Sequence, residues 1–281
     1  MKLQGKTALV TGGATGIGYG IAKALAAEGC RVAISGRREE VLKSAAAEWT
    51  GQPAMIYRAC DVADRAGVDE LFDWATKQLG RIDILVNSAG TNIKNRSMAE
   101  MRPEQFDEVM AANSTGIYNC MYAVLPQMKQ RQDGIIINIS SISGKRAFAI
   151  GGIAYVASKF AMSGMSAAIA NEVNKSGVRV TTIYPGEVDT PILEKRPKEV
   201  SAEQRALILK PEDFSDIVVA NLLPAEACSR SGVDPQADAS GLSIAATSAA
   251  VFGQIPRGKP GGAGLDRREA VHRIPHATQP G

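Results

Sequence analysis

Residues 7–18 read Thr7-Ala8-Leu9-Val10-Thr11-Gly12-Gly13-Ala14-Thr15-Gly16-Ile17-Gly18, a short apolar, β-branched run that breaks into glycines and then enters a helical pattern. Glycines at 12, 16 and 18 permit a tight turn and a close backbone approach. Free N–H groups at the turn and the positive end of the following helix then suit a pyrophosphate, with Thr15 and Ile17 in the same turn. A glycine cluster alone is a weak sign, but strand, glycine turn and helix in this order is the context the mechanism requires.

Outward from this stretch, β-branched runs at 31–35, 54–59, 82–87, 134–140 and 178–184 alternate with helix-compatible spacing at 18–28, 38–49, 63–79, 103–131 and 154–175. Each return to a parallel neighbour needs a crossover, so the alternation predicts parallel strands with helices on both faces. Runs such as Ile135-Ile136-Ile137 and Leu85-Val86 are what strands covered on both faces look like. The expected fold is a single-domain α/β, doubly wound, Rossmann-like sheet over residues 1–228, binding its ligand beyond the carboxyl ends of the strands.

Residues 190–211 are long enough to form a lid, and an amphipathic helix is expected at 211–223. From 229 to 281 the chain holds eight Gly and five Pro in 53 positions with little periodicity, and poor order is expected there.

Bulk properties narrow the partners. With 281 residues, 32 basic and 29 acidic side chains and a formal charge of +3, the chain offers no dense basic block for nucleic acid or anionic membrane. The amino terminus lacks the pattern of a signal peptide. The most apolar later stretch, 147–157, is Gly-broken and far short of the roughly 18 residues of a membrane span, so a soluble, cytoplasmic protein acting on small molecules is expected. Cys30, Cys60, Cys120 and Cys228 lack C-x-x-C spacing and read as buried thiols. His272 and His276 lie far from every motif, which argues against a His-based nucleophile or a His-ligated zinc, and no metal site is expected.

The second strand ends in Ser35-Gly36-Arg37-Arg38, where a carboxylate would bond a ribose 2′-hydroxyl and an Arg would receive a 2′-phosphate. Arg37 and Arg38 therefore favour NADP over NAD, the alternative being solvated charge at a helix start. Asp61-Val62 after the third strand could flank an adenine, or Asp61 could simply cap the next helix.

Tyr155 and Lys159 stand four apart on one helical face. A free tyrosine titrates near pH 10, and a neighbouring ammonium is expected to lower that by roughly 1–3 units, making the phenol a usable proton donor and acceptor. Ser140-Ser141 ends the fifth strand, where a hydroxyl can polarise a carbonyl oxygen or merely form a turn.

Taken together, Thr11-Gly12-x-x-x-Gly16-Ile17-Gly18, Asp61-Val62, Asn87-Ser88-Ala89-Gly90, Asn113, Ser140-Ser141, Tyr155-x-x-x-Lys159 and Pro185-Gly186 followed by Thr190 closely resemble the short-chain dehydrogenase/reductase family, over residues 5 to about 225. The resemblance implies hydride transfer between a nicotinamide dinucleotide and a small or medium carbonyl or secondary alcohol. It implies that Tyr155 exchanges the proton, Lys159 holds the nicotinamide ribose, Ser141 orients the substrate oxygen, and Asn113 supports a relay water. Ser140 and Ser143 remain alternatives, because the Ser141-to-Tyr155 spacing is one residue longer than usual.

By the same implication Asn87, Ala89 and Gly90 pass beside the cofactor, with Ser88 in place of a more frequent Asn. Pro185, Gly186, Val188 and Thr190 would hold the carboxamide, and the helices after Pro103 and Ala154 would form a homodimer interface. The family's seventh strand has no counterpart in the text after Ala227, as a shifted reading frame would produce. A catalytically silent nucleotide-binding scaffold is the competing expectation, but a pure binder has no need for Tyr155.

Overall fold

A computed structural model describes residues 1–222. The expected tail at 229–281, the seventh-strand position, Cys228 and both histidines lie outside the described residues.

Six strands form one parallel sheet: β1 Thr7–Thr11, β2 Arg31–Gly36, β3 Ile56–Ala59, β4 Ile84–Asn87, β5 Gly134–Ile139 and β6 Val178–Ile183. Their spatial order is β3-β2-β1-β4-β5-β6, so the chain reverses its direction of travel between β1 and β4. That reversal leaves a crevice at the carboxyl ends of these two strands, where their crossover helices diverge to opposite faces.

The helices are α1 Gly16–Ala27, α2 Glu39–Glu48, α3 Arg65–Leu79, α4 Pro103–Met110, α5 Gly116–Arg131, α6 Ile153–Val173, α7 Ala202–Leu207 and α8 Ser215–Leu222. Alternation along β1 sends Ala8 and Val10 to one face, against Ile21 and Leu25 of α1 and Val218 of α8. Leu9 goes to the other, with Leu71 of α3, Val124 of α5 and Met162 of α6. All of β1 is buried, its apolar centre Ala8-Leu9-Val10 and the threonines at both ends alike, as in a strand covered on both faces.

Polar groups fix the centre of the sheet. Asn87 Nδ2 donates to Asn138 Oδ1 across β4 and β5 at 2.8 Å, and Asn138 Nδ2 donates to Ser166 Oγ of α6 at 2.8 Å.

Two expectations need correction. The helix read as continuous from 103 to 131 contains one π turn, Ala111–Thr115, between α4 and α5; a wide turn of this kind is invisible to hydrophobic periodicity and is frequent at functional positions. The most apolar long stretch is α6 rather than 147–157: its 21 residues reach a mean hydropathy of 1.3 over an 18-residue window, enough by length and composition to cross a membrane. In the fold α6 is a crossover helix packed on β6, α4 and the 142–144 turn.

Candidate active site

The β1–α1 turn is built by close contact. Gly12 has φ +64°, and a Cβ there would lie 2.8 Å from the Ala89 backbone. A Cβ on Gly18 would collide with Gly12 O, so the first turn of α1 can close onto the loop only without a side chain. Gly18→Ala is accordingly expected to cost about 1–3 kcal/mol of stability through overpacking. Urea unfolding would measure it, and an unchanged midpoint would mean the turn has room that the geometry denies.

Above this turn lies a crevice of about 510 Å³. Gly12, Thr15 and Ile17 line its first wall, Arg37 and Arg38 its far end, and Asp61 and Val62 the side beyond β3. Ala89 and Gly90 follow from β4, Tyr155 and Lys159 from α6, and Thr190 from the segment after β6. Sequence positions more than 170 residues apart thus meet in one cleft.

The other expected residues sit around rather than in it. Gly16 (φ +54°) backs onto Thr190, whose Cγ2 would be 3.0 Å from an added Cβ. Asn87 is fully buried beneath the crevice on Asn138. Pro185 lends its carbonyl to the Ile142 amide at 2.9 Å, Gly186 has open space beside it, and Val188 is buried and bridges to Leu209.

Asn113 occupies the π turn with no exposure. Its Oδ1 accepts from the Thr91 amide at 2.7 Å, while Nδ2 donates to Thr91 O at 2.9 Å and to Ser158 Oγ at 3.1 Å. Among the three serines, Ser140 Oγ turns to the Lys159 carbonyl at 3.4 Å, and Ser143 is buried near Gly151. Ser141 Oγ accepts from the Ser143 amide at 3.1 Å, and of the three it is the hydroxyl that favours the Tyr155 phenolate.

The electrostatics differ from the simple ammonium-phenol picture. Burial pushes the Tyr155 phenol up, against the opposing effects of the Ser141 bond and the Arg96 charge. Burial also pulls Lys159 down to about 7. Its Nζ lies 5.7 Å from the Tyr155 ring centroid and donates to Ile139 O at 2.9 Å. A depressed Tyr155 is therefore not found, because desolvation outweighs the neighbouring positive charges and makes the lysine itself only partly charged at neutrality.

Two residues not singled out from the sequence belong to the site. Arg96, 8 % exposed, donates to Ile93 O at 2.6 Å, Ile150 O at 2.5 Å and Lys195 O at 2.7 Å, so one guanidinium ties the β4 loop, the 148–152 loop and the 191–195 turn. Lys195 Nζ donates to Thr91 Oγ1 at 2.8 Å. A basic residue in each of two loops gave no periodic or motif signal by which to find them.

Residues 6–201 match the short chain dehydrogenase family, and the chain belongs to it. It is thus an oxidoreductase of the short-chain dehydrogenase type. It is similar to D-beta-hydroxybutyrate dehydrogenase of Cupriavidus necator, 37% identical over 195 residues covering 69% of this chain and 75% of that protein. It is also similar to 3-oxoacyl-(acyl-carrier-protein) reductase of Thermotoga maritima, 32% identical over 225 residues covering 78% and 91%. Among solved structures, 3-ketoacyl-(acyl-carrier-protein) reductase from Brucella melitensis complexed with NADH matches with a TM-score of 0.72 at 29% identity, covering 79% of this chain and 93% of that one. An actinorhodin polyketide ketoreductase variant with NADPH matches with a TM-score of 0.72 at 30% identity, covering 79% and 92%.

Proposed function

We propose that the protein uses NADP(H) to interconvert a small or medium carbonyl compound and its secondary alcohol, with Tyr155 as the proton-exchanging group. The observation that carries this reading is the convergence of Tyr155, Lys159 and the glycine turn on one crevice beyond β1 and β4. The residues present fit a dinucleotide: Gly12 and Gly18 leave a cradle that any Cβ would fill. At the far end, Arg37 and Arg38 are exposed and, among the described residues, make no salt bridge, leaving two guanidiniums for a 2′-phosphate.

Bound there, the nicotinamide supplies or accepts the hydride. Tyr155 Oη gives its proton to the carbonyl oxygen during reduction and takes it back during oxidation. Ser141, whose hydroxyl acts on the phenol, holds the substrate oxygen beside it. Lys159 anchors the ribose and favours the phenolate when charged. Both Nδ2 hydrogens and one Oδ1 lone pair of Asn113 go to protein partners, so it braces Thr91 over α6, and the remaining lone pair is the place for a relay water. Asn87, Pro185, Gly186 and Val188 shape the walls from behind, and Thr190 closes the lid over the turn.

Arg37→Glu tests the cofactor choice. Fluorescence titration is expected to show NADPH bound tighter than NADH by the parent, and the preference reduced at least tenfold in the variant, the loss of about one charge-assisted contact. Tighter NADH binding by the parent would overturn the assignment. We further propose a homodimer through α5 and α6, whose outer faces expose Tyr118, Tyr122 and Phe160, the two tyrosines stacked at 5.9 Å.

A further inference from the structure

The loops around Tyr155 are rich in basic residues. The three segments that frame Tyr155, residues 91–98, 141–152 and 190–196, carry Lys94, Arg96, Lys145, Arg146, Lys195 and Arg196 against the single acid Glu194. Some of this charge is already engaged. Arg196 pairs with Glu187 at 2.7 Å, and Lys145 lies 4.4 Å over the Tyr184 ring. The buried Arg96 guanidinium gives three of its five N–H hydrogens to carbonyls and, among the described residues, makes no salt bridge.

Lys195 stands apart because it lines the same crevice as Tyr155 and Lys159. It is half-buried and, among the described residues, makes no salt bridge and bonds through its ammonium only to the neutral Thr91 hydroxyl. Thr91 follows Gly90, which also lines the crevice, and its amide donates to Asn113 Oδ1 at 2.7 Å. The exposed Glu194 also lines the crevice but bonds neither Lys195 nor Arg96.

We infer that the substrate is an oxo or hydroxy acid, whose carboxylate docks on Lys195 Nζ beside the Thr91 hydroxyl, with Arg96 supplying the buried positive field behind it. This inference rests on the proposed carbonyl/alcohol chemistry and names its substrate class. A partly desolvated ammonium with two free hydrogens gains more from a carboxylate than a solvated one does. A neutral carbonyl compound would leave that ammonium without a counter-charge in a half-buried wall.

Two measurements on the whole protein test it. The first compares kcat/KM for 2-, 3- and 4-oxo acids with that for their methyl esters. At least one acid is expected to exceed its ester tenfold or more, with that ratio falling at least tenfold in Lys195→Gln and restored largely by Lys195→Arg. The second is calorimetric titration of the protein with saturating dinucleotide by butyrate, which reads carboxylate binding without turnover and is expected to weaken at least tenfold in Lys195→Gln.

Esters turned over as well as every acid, or butyrate binding indifferent to Lys195, would overturn the inference. So would a Lys195→Gln variant whose defect lies in dinucleotide affinity, since that would place the ammonium on the cofactor. Butyrate binding that depends on Lys195 with no carbonyl reduced would uphold the anion site and defeat the carbonyl/alcohol reading instead.

Discussion

Replacing Tyr155 by Phe is expected to lower turnover by roughly 10³-fold, within the range for removal of a general acid–base group, while dinucleotide affinity changes little. The phenol lines the crevice and is the group proposed to pass a proton to the carbonyl oxygen. The ring that Phe retains keeps the packing of the first turn of α6. Steady-state kinetics and fluorescence titration of the same preparation make the test, and retained turnover would contradict the role given to Tyr155. Such a result would also reopen the reading of the chain as a silent nucleotide-binding scaffold.

Lys159→Met is expected to abolish turnover as well, and to change how stability depends on pH. Lys159 is 4 % exposed and titrates at about 7 in the folded protein, whereas an unfolded lysine holds its proton to about 10.4. Between these values the unfolded chain binds more protons, so stability rises with pH; below about 7 both states are charged and the full destabilisation is present. Cys30 and Cys60, pushed up to about 12 and about 11, act in the opposite sense above about 9, where the unfolded thiols ionise first. The net rise is therefore clearest over about pH 7–9, where Lys159 contributes roughly 2 kcal/mol.

Denaturant unfolding at pH 6, 7, 8 and 9 would show this rise in the parent and not in the variant. Met cannot donate to Ile139 O as Lys159 does at 2.9 Å, but that loss is the same at every pH and leaves the slope as the readout. A difference between the two proteins that does not vary with pH would mean Lys159 keeps its charge when folded.

The strands were legible because the central ones are apolar on both faces. The expected 31–35 is Arg31–Gly36 in the fold, and 134–140 is Gly134–Ile139. The glycine turn was legible for a related reason: Gly12 and Gly18 stand where backbone meets backbone, a local constraint that only one residue type meets.

What could not be read there depends on distance in the chain or on burial. Arg96 and Lys195 are joined across 99 positions by one hydrogen bond, and neither sits in a periodic or spaced pattern. The upward displacement of Tyr155 reflects desolvation, which no spacing of Tyr and Lys reports. The serine choice was likewise beyond the text, since Ser140, Ser141 and Ser143 differ only in which way the turn at 142–144 aims them.

The amide relay from Asn87 through Asn138 to Ser166 works in only one alignment of β4 on β5. Sliding one strand by a residue would strand hydrogen-bonding groups in a dry layer, at about 1–3 kcal/mol for each. Apolar replacements could match the bulk stability and still admit rival alignments. The earliest casualty would be the levelling of the two strand tips, and with it the width of the slot between them.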